Sequence, residues 1–243
     1  MHISIHFGTG DKPLDLPIHY NALVQGAIYA NINPVLATLL HDHGFPFNGR
    51  TFKLFSYSKI IGKYTLIRER CRIVFPEGAS LVVSTPVEEI CRAMAGLILR
   101  DGFRIGSQEL EVKSIDTEEH IVRSDTIELE LLSPVVVYST FAKPGGGKYT
   151  CYFQPGEKEF ARLIYENLRK KYSACHNKTA SEGEFMVRLL NRPRQNLVIY
   201  KNTIIKGYTC KLILSGPGEL LQIALDAGLG SKNSQGFGCC RPS

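Results

Sequence analysis

Apolar and polar positions divide the chain into two similar runs of elements. Residues 2–7 (HISIHF) alternate as in a strand with one buried face. Asn21 stands where it would cap a helix through LVQGAIYAN, with Leu23 and Ile28 on its apolar face. Asn33-Pro34 reads as an N-cap followed by proline at the first helical position, opening a helix, VLATLLHDH, that stops at Gly44. KLFSYS (53–58), YTLIRERCRIVF (64–75) and ASLVVST (79–85) read as strands. Pro86 introduces a helix, VEEICRAMAGLILR, ending before Asp101-Gly102, and short strands follow near 103–105 and 108–114. This order, β, α, β, β, α, β, is the split βαβ pattern of a ferredoxin-like domain.

The order then returns. TIELELLSPVVVY (126–138) reads as a strand and KPGGGKYTCYF as a glycine-rich excursion. EKEFARLIYENLRKKYS is an amphipathic helix with Lys and Arg at its end. Strand-like runs at 184–190 and 207–214 precede a short helix, GELLQIALDAG, closed by Gly228, and GFGCC reads as the last strand. The expected fold class is therefore α+β, two tandem ferredoxin-like (βαββαβ) domains at 1–118 and 119–243. The acidic stretch Glu109–Glu130 reads as a polar linker across the junction.

Composition changes this picture little. Hydrophobic residues make up 44% of the 243 positions, enough for real cores, which excludes a disordered chain. No apolar run approaches the ~20 residues needed to cross a bilayer. MHISIHFGTG lacks the charged and apolar regions of a signal peptide, so a cytoplasmic protein without a membrane partner is the default. The seven cysteines are odd in number, widely spaced and without C-x-x-C, which argues against a disulfide framework or a zinc ribbon; most read as buried small residues. His120 and His176 show no metal-ligand spacing either, and neither metal nor cofactor is expected.

Charge says more. Residues 1–149 hold 15 Lys/Arg against 16 Asp/Glu, and residues 150–243 hold 14 against 7. The whole positive excess lies in the C-terminal part, as for a polyanion partner, most often nucleic acid. The strongest local signal is there too. GLGSKNSQGFG (228–238) lies between a helix and the last strand. Gly228, Gly230, Gly236 and Gly238 would let the backbone approach a ligand closely. Successive amides near Ser231 and Asn233 would form an anion nest, with Lys232 adding charge. That reads as a phosphate-backbone site rather than a plain turn. Neither this loop nor KPGGGK (143–148) fits a nucleotide-cofactor motif. Arg188, Arg192, Arg194, Lys201 and Lys206 cluster between the late strands, as RNA-backbone contacts with Tyr200 for base stacking or as a solvated hairpin. Arg169, Lys170 and Lys171 read as complements to a helix dipole.

Three stretches together carry a resemblance: the terminal GLGSKNSQGFGCCRP, the opening LPIHYNALVQGAIYANI, and NPVLATLLHDHG followed by FKLFSYS. The chain resembles the CRISPR-associated endoribonucleases that process precursor crRNA, members of the RAMP superfamily. The resemblance implies metal-independent cleavage of CRISPR repeat RNA, in which the ribose 2′-hydroxyl attacks the adjacent phosphate. The products would be a 2′,3′-cyclic phosphate and a 5′-hydroxyl. It also implies a catalytic group of Tyr, His and Lys, which falls on Tyr29, His41 and Lys53, with His43 in reserve. These types suit the chemistry. Imidazole serves as acid or base near neutrality, and lysine stabilises developing negative charge. Acid and base remain unassigned between Tyr29 and His41. Partners beyond the RNA would be other subunits of a CRISPR effector complex or a second copy of the chain. Two competing readings are a non-catalytic RNA-binding subunit of the same superfamily and a protein-interaction scaffold.

Overall fold

The computed structural model describes residues 1–243 except Thr9, Asp11 and Asn33, together with the side chains of all but those residues, Val35, Leu39 and His41. The N-terminal lobe is built on β1 (His2–Gly8), α1 (Asn21–Ala30), β2 (Ser56–Tyr57), β3 (Ala79–Ser84), α2 (Glu88–Asp101) and β4 (Gln108–Glu118). Its sheet runs β2-β3-β1-β4, with Phe103–Ile105 as an outer edge strand. The C-terminal lobe is built on β5 (Thr126–Leu131), α3 (Lys158–His176), β6 (Met186–Leu189), β7 (Lys211–Ser215), α4 (Gly218–Ala227) and β8 (Cys240–Pro242). Its sheet runs β6-β7-β5-β8. Within each lobe the second, third, first and fourth frame strands stand side by side, and every pairing is antiparallel. The chain thus folds as two tandem ferredoxin-like units.

Alternation explains the sheets. Ile3, Ile5 and Phe7 of β1 are all buried, as are Leu81 and Val83 of β3 and Leu212 and Leu214 of β7. Helical spacing explains the layers above them. Ile90, Met94 and Ile98 of α2 enter the first core, and Phe160, Ile164 and Leu168 of α3 enter the second.

Several local expectations are corrected. The strand read at 64–75 is two strands, Thr65–Ile67 and Arg72–Phe75, separated by a 3₁₀ turn at Arg68–Arg70. Cys71 there takes φ 51°, left-handed backbone that ends the turn. These strands form a side sheet with Leu14–Pro17. The acidic stretch read as a linker is in large part β4, an eleven-residue strand paired with β1 from His2↔Glu118 to Gly8↔Glu111. Its acidic side chains lie mostly on the exposed face. The strand read at 126–138 stops at Leu131. The following segment bonds to other elements, Val135 to Tyr208 and Val136 to Ser231. Only Ser56–Tyr57 of KLFSYS is strand. Asn21 does not cap α1; its side-chain amide donates to the carbonyls of Gln235 (2.8 Å) and Gly236 (3.3 Å) in the other lobe. The cap read at Asn33 falls outside the described residues, and the helix after it runs Pro34–Thr38, then widens to a π turn at Leu39–His43.

Candidate functional site

The lobes meet along the glycine-rich loop. Gln25 of α1 donates to Ser234 O (2.6 Å), beside the Asn21 bonds, and the Tyr57 hydroxyl donates to Asn21 O (2.7 Å). The loop fits this junction because side chains are missing. A Cβ at Gly228 would stand 2.8 Å from Ser56 Cβ, and one at Gly236 2.6 Å from the Tyr57 ring. One at Gly238 would stand 1.9 Å from the carbonyl oxygen of Leu229. All three have positive φ. Asn233 is buried and ties the loop's ends, donating to Leu229 O (2.9 Å) and Phe237 O (3.0 Å).

Part of the loop's backbone is engaged within the protein. The amides of Leu229, Ser231, Gln235, Gly236 and Gly238 bond to protein carbonyls. The glycines serve close packing, and Lys232, Ser234 and Gln235 of the loop line a cleft between the lobes. Lys232 is half-buried, at φ 64°, with its ammonium 5.5 Å from the centre of the Tyr138 ring.

The sequence pattern places Lys171 among cations complementing the helix dipole. It is instead 3% exposed and points inward from α3. Its ammonium donates to the carbonyls of Gly228 (2.5 Å), Gly230 (3.1 Å) and Ala227 (3.4 Å). It therefore holds the end of α4 and the start of the loop. Burial pushes its pKa down to about 7.

Tyr29 and Lys53 come together at one cleft of about 400 Å3, lined also by Gln25, Lys201, Lys232 and Ser234. Tyr29 is in the last turn of α1, and its ring meets Phe55 edge-on at 5.7 Å. Burial, with Tyr200 beside it, pushes the phenol up to about 12, so it carries its proton at neutral pH. Lys53 follows the hairpin Phe45–Phe47/Arg50–Phe52. The next residue, Leu54, takes φ 49° and buries its side chain in the C-lobe core, so the chain kinks at Lys53 and anchors to the opposite lobe. Burial lowers the Lys53 pKa and the charge of Asp42 acts against that. The π turn carrying His41 ends at Gly44 (φ 57°), where a Cβ would stand 3.3 Å from Lys53 Cδ. The His41 side chain itself lies outside the described residues; His43 is exposed.

The remaining basic candidates separate. Lys201 lines the cleft at the tip of the hairpin Arg194–Tyr200/Thr203–Thr209. Arg192 and Arg194 stand at its base, about 20 Å along the strand from that tip, and are exposed. Tyr200 is not free for base stacking: it is 7% exposed, and its hydroxyl donates to Gln25 Oε1. Among the described residues no three His, Cys, Asp or Glu side chains gather as a metal site, and no helix is long and apolar enough to cross a membrane.

Two family models match most of the chain. One, described as CRISPR-associated protein Cas6, N-terminal, matches residues 15–116; the other, CRISPR associated protein Cas6, C-terminal, matches residues 116–242. The CRISPR-associated endoribonuclease Cas6 1 of Methanocaldococcus jannaschii is 28% identical over 98% of this chain and 91% of its own. The CRISPR-associated endoribonuclease Cas6 of Pyrococcus furiosus is 28% identical over 94% and 84%. Among solved structures, a Cas6-related gene product of Pyrococcus furiosus superposes with a TM-score of 0.85 at 22% identity, covering 100% of this chain and 98% of that one. A RAMP protein described as binding different RNA substrates gives 0.83 at 23%, covering 100% and 99%. The solved structures share the two-unit fold described above, and the family models together reach from residue 15 to 242: this chain belongs to the Cas6 family.

Proposed function

We propose that the protein cuts CRISPR repeat RNA in precursor crRNA, without a metal ion, at the cleft between its lobes, residues 1–118 and 119–243. The observation that carries this reading is the shared cleft of Tyr29 and Lys53 from the first lobe and Lys232 from the second. The relatives named as endoribonucleases support it.

In this reading His41 takes the proton from the ribose 2′-hydroxyl. The 2′-oxygen attacks the adjacent phosphorus, the P–O2′ bond forms, and the bond to the 5′-oxygen breaks. The leaving oxygen takes a proton from Tyr29. A phenol held up at about 12 suits the donor role and not that of base at neutral pH, which leaves the base to the imidazole. Lys53 and Lys232 stand beside the non-bridging oxygens as negative charge develops. Ser231 and the backbone of Gly230 contact the RNA near the cut. Gly228, Asn233, Gly236 and Gly238 act by shaping the loop, and Arg192 and Arg194 hold flanking backbone at the far end of their hairpin.

The test is a 5′-labelled transcript holding one repeat and its flanks, incubated with pure protein in EDTA. The expected result is one cut, with a cyclic phosphate on the upstream product. RNA cut only after magnesium is added would overturn the metal-free route. RNA bound tightly but left intact under both conditions would make the chain an RNA-binding subunit.

A further inference from the structure

The hairpin Tyr138–Ala142/Lys148–Tyr152 has no part in the reading above, and its two faces differ. Directly opposed residues of an antiparallel pair share a face. Tyr138 and Tyr152 therefore lie on one side, and Phe141 and Tyr149 on the other. The tyrosine side packs on a small cluster around Val136, Tyr200 and Phe237. Phe141 and Tyr149 stack at 5.4 Å with their planes 27° apart, and stay 43% and 46% exposed. The tip, Lys143-Pro-Gly-Gly-Gly-Lys148, is a tight turn closed by Lys143 N–H to Gly147 O (3.0 Å) and Gly146 N–H to Lys143 O (3.1 Å). It leaves two lysines in solvent next to the exposed rings.

Phe141 lines a groove of about 590 Å3 whose other wall is α3, with Asn167 and Lys170. Arg50, Tyr138, Gly230 and Ser231 line this groove and also a neighbouring cavity of about 370 Å3 that contains Lys53 and Lys232. The open path from the candidate cleavage cleft thus runs past Ser231 to the stacked rings. Its charge is positive: Arg50 and Lys170 line it, Lys143 and Lys148 stand at the tip, and the acid on the wall, Glu166, is ion-paired with Arg162.

We propose that this groove binds single-stranded RNA leaving the cleavage cleft, with a base stacked on the Phe141–Tyr149 pair and the backbone passing Ser231, Arg50 and Lys170. The proposal rests on the RNA-cleavage reading. A single strand is the occupant because unpaired bases can splay onto aromatic faces, whereas a duplex hides them. Stacking on such a pair is tolerant of sequence, and the flanking cations neutralise phosphates.

The experiment measures affinity by fluorescence anisotropy. The ligands are full-length repeat RNA and two versions shortened on either side of the cut. The proteins are wild type, F141A/Y149A and F141L/Y149L. Both double variants are expected to bind the full-length RNA at least ~10-fold more weakly, because leucine keeps the apolar bulk and loses the stacking face. One of the shortened RNAs should bind wild type just as weakly and be indifferent to the substitutions. F141W/Y149F should restore full-length binding. If the double variants bind full-length RNA as wild type does, or if leucine restores affinity, the stacking site is overturned and the pair is a cross-strand contact or a face for a protein. If wild type binds none of the RNAs, the cleavage reading fails first, and the groove's role as an RNA exit falls with it.

Discussion

The two lobes have the same frame and opposite insertions. Each sheet sets its second, third, first and fourth frame strands side by side, over two helices. In the first lobe the long insertion follows α1 and brings the π turn of His41 and the kink at Lys53–Leu54 to the junction. In the second lobe the additions are two projecting hairpins and the loop after α4, which carry Phe141, Lys201 and Lys232. Charge follows the same division, with 14 Lys/Arg against 7 Asp/Glu in residues 150–243 and near balance before them. Repeating a frame twice thus yields a packed scaffold, and under the proposed function the differing insertions would supply chemistry on one side and grip on the other.

If that division of labour is right, substitutions should sort by lobe. The largest effect is expected from His41→Ala, a fall of at least ~100-fold in single-turnover cleavage with affinity near that of wild type. The same loss from His43→Ala instead would move the base two residues along. Lys53→Ala should also cost on the order of 100-fold in the bound cleavage step, since one charge-stabilising donor is removed. A weaker affinity with an unchanged bound rate would assign Lys53 to grip and blur the division.

Next comes Lys171→Met, which leaves buried carbonyls of Ala227, Gly228 and Gly230 without their donor. Denaturant unfolding should show a loss on the order of 2 kcal/mol. Its pH dependence follows from the lowered pKa. Between about 7 in the folded protein and 10.5 in the unfolded chain, the unfolded state binds the extra proton. Wild-type stability therefore gains as pH rises through that window, and the gap between wild type and Lys171→Met should widen from pH 7 to pH 9. A constant gap would mean that Lys171 keeps its charge throughout.

The smallest effect is expected from Lys232→Ala: a several-fold weaker affinity and a salt dependence reduced by roughly one phosphate contact, measured as binding against salt concentration. Unchanged affinity would remove the glycine-rich loop from the RNA interface.

Much of the frame could be read from periodicity. Ile3, Ile5 and Phe7 alternate, and Phe160, Ile164 and Leu168 recur every four residues, because burial imposes those periods. The failures have local causes. Cys71, Leu54 and Lys232 take left-handed backbone without being glycine, which no propensity signals. The β4 acids looked like a linker because the register with β1, not composition, makes that segment a strand. At the candidate site, the structure brings Tyr29 and Lys53, which the flanking motifs singled out, to one cleft. Lys171 was missed although its spacing after Phe160, Ile164 and Leu168 puts it on the buried face of α3; lysine's usual exposure outweighed the period. The glycine pattern has a second cause that the sequence did not separate from anion binding, the close approach between lobes.

The most direct test of cleavage at the interlobe cleft uses two labelled repeat RNAs in EDTA, identical except for a single 2′-deoxy nucleotide immediately upstream of the cut. The expected result is equal binding of both, one cut in the all-ribose strand and none in the other. Equal cutting of both would contradict attack by the 2′-hydroxyl and remove the roles assigned to Tyr29, His41 and Lys53.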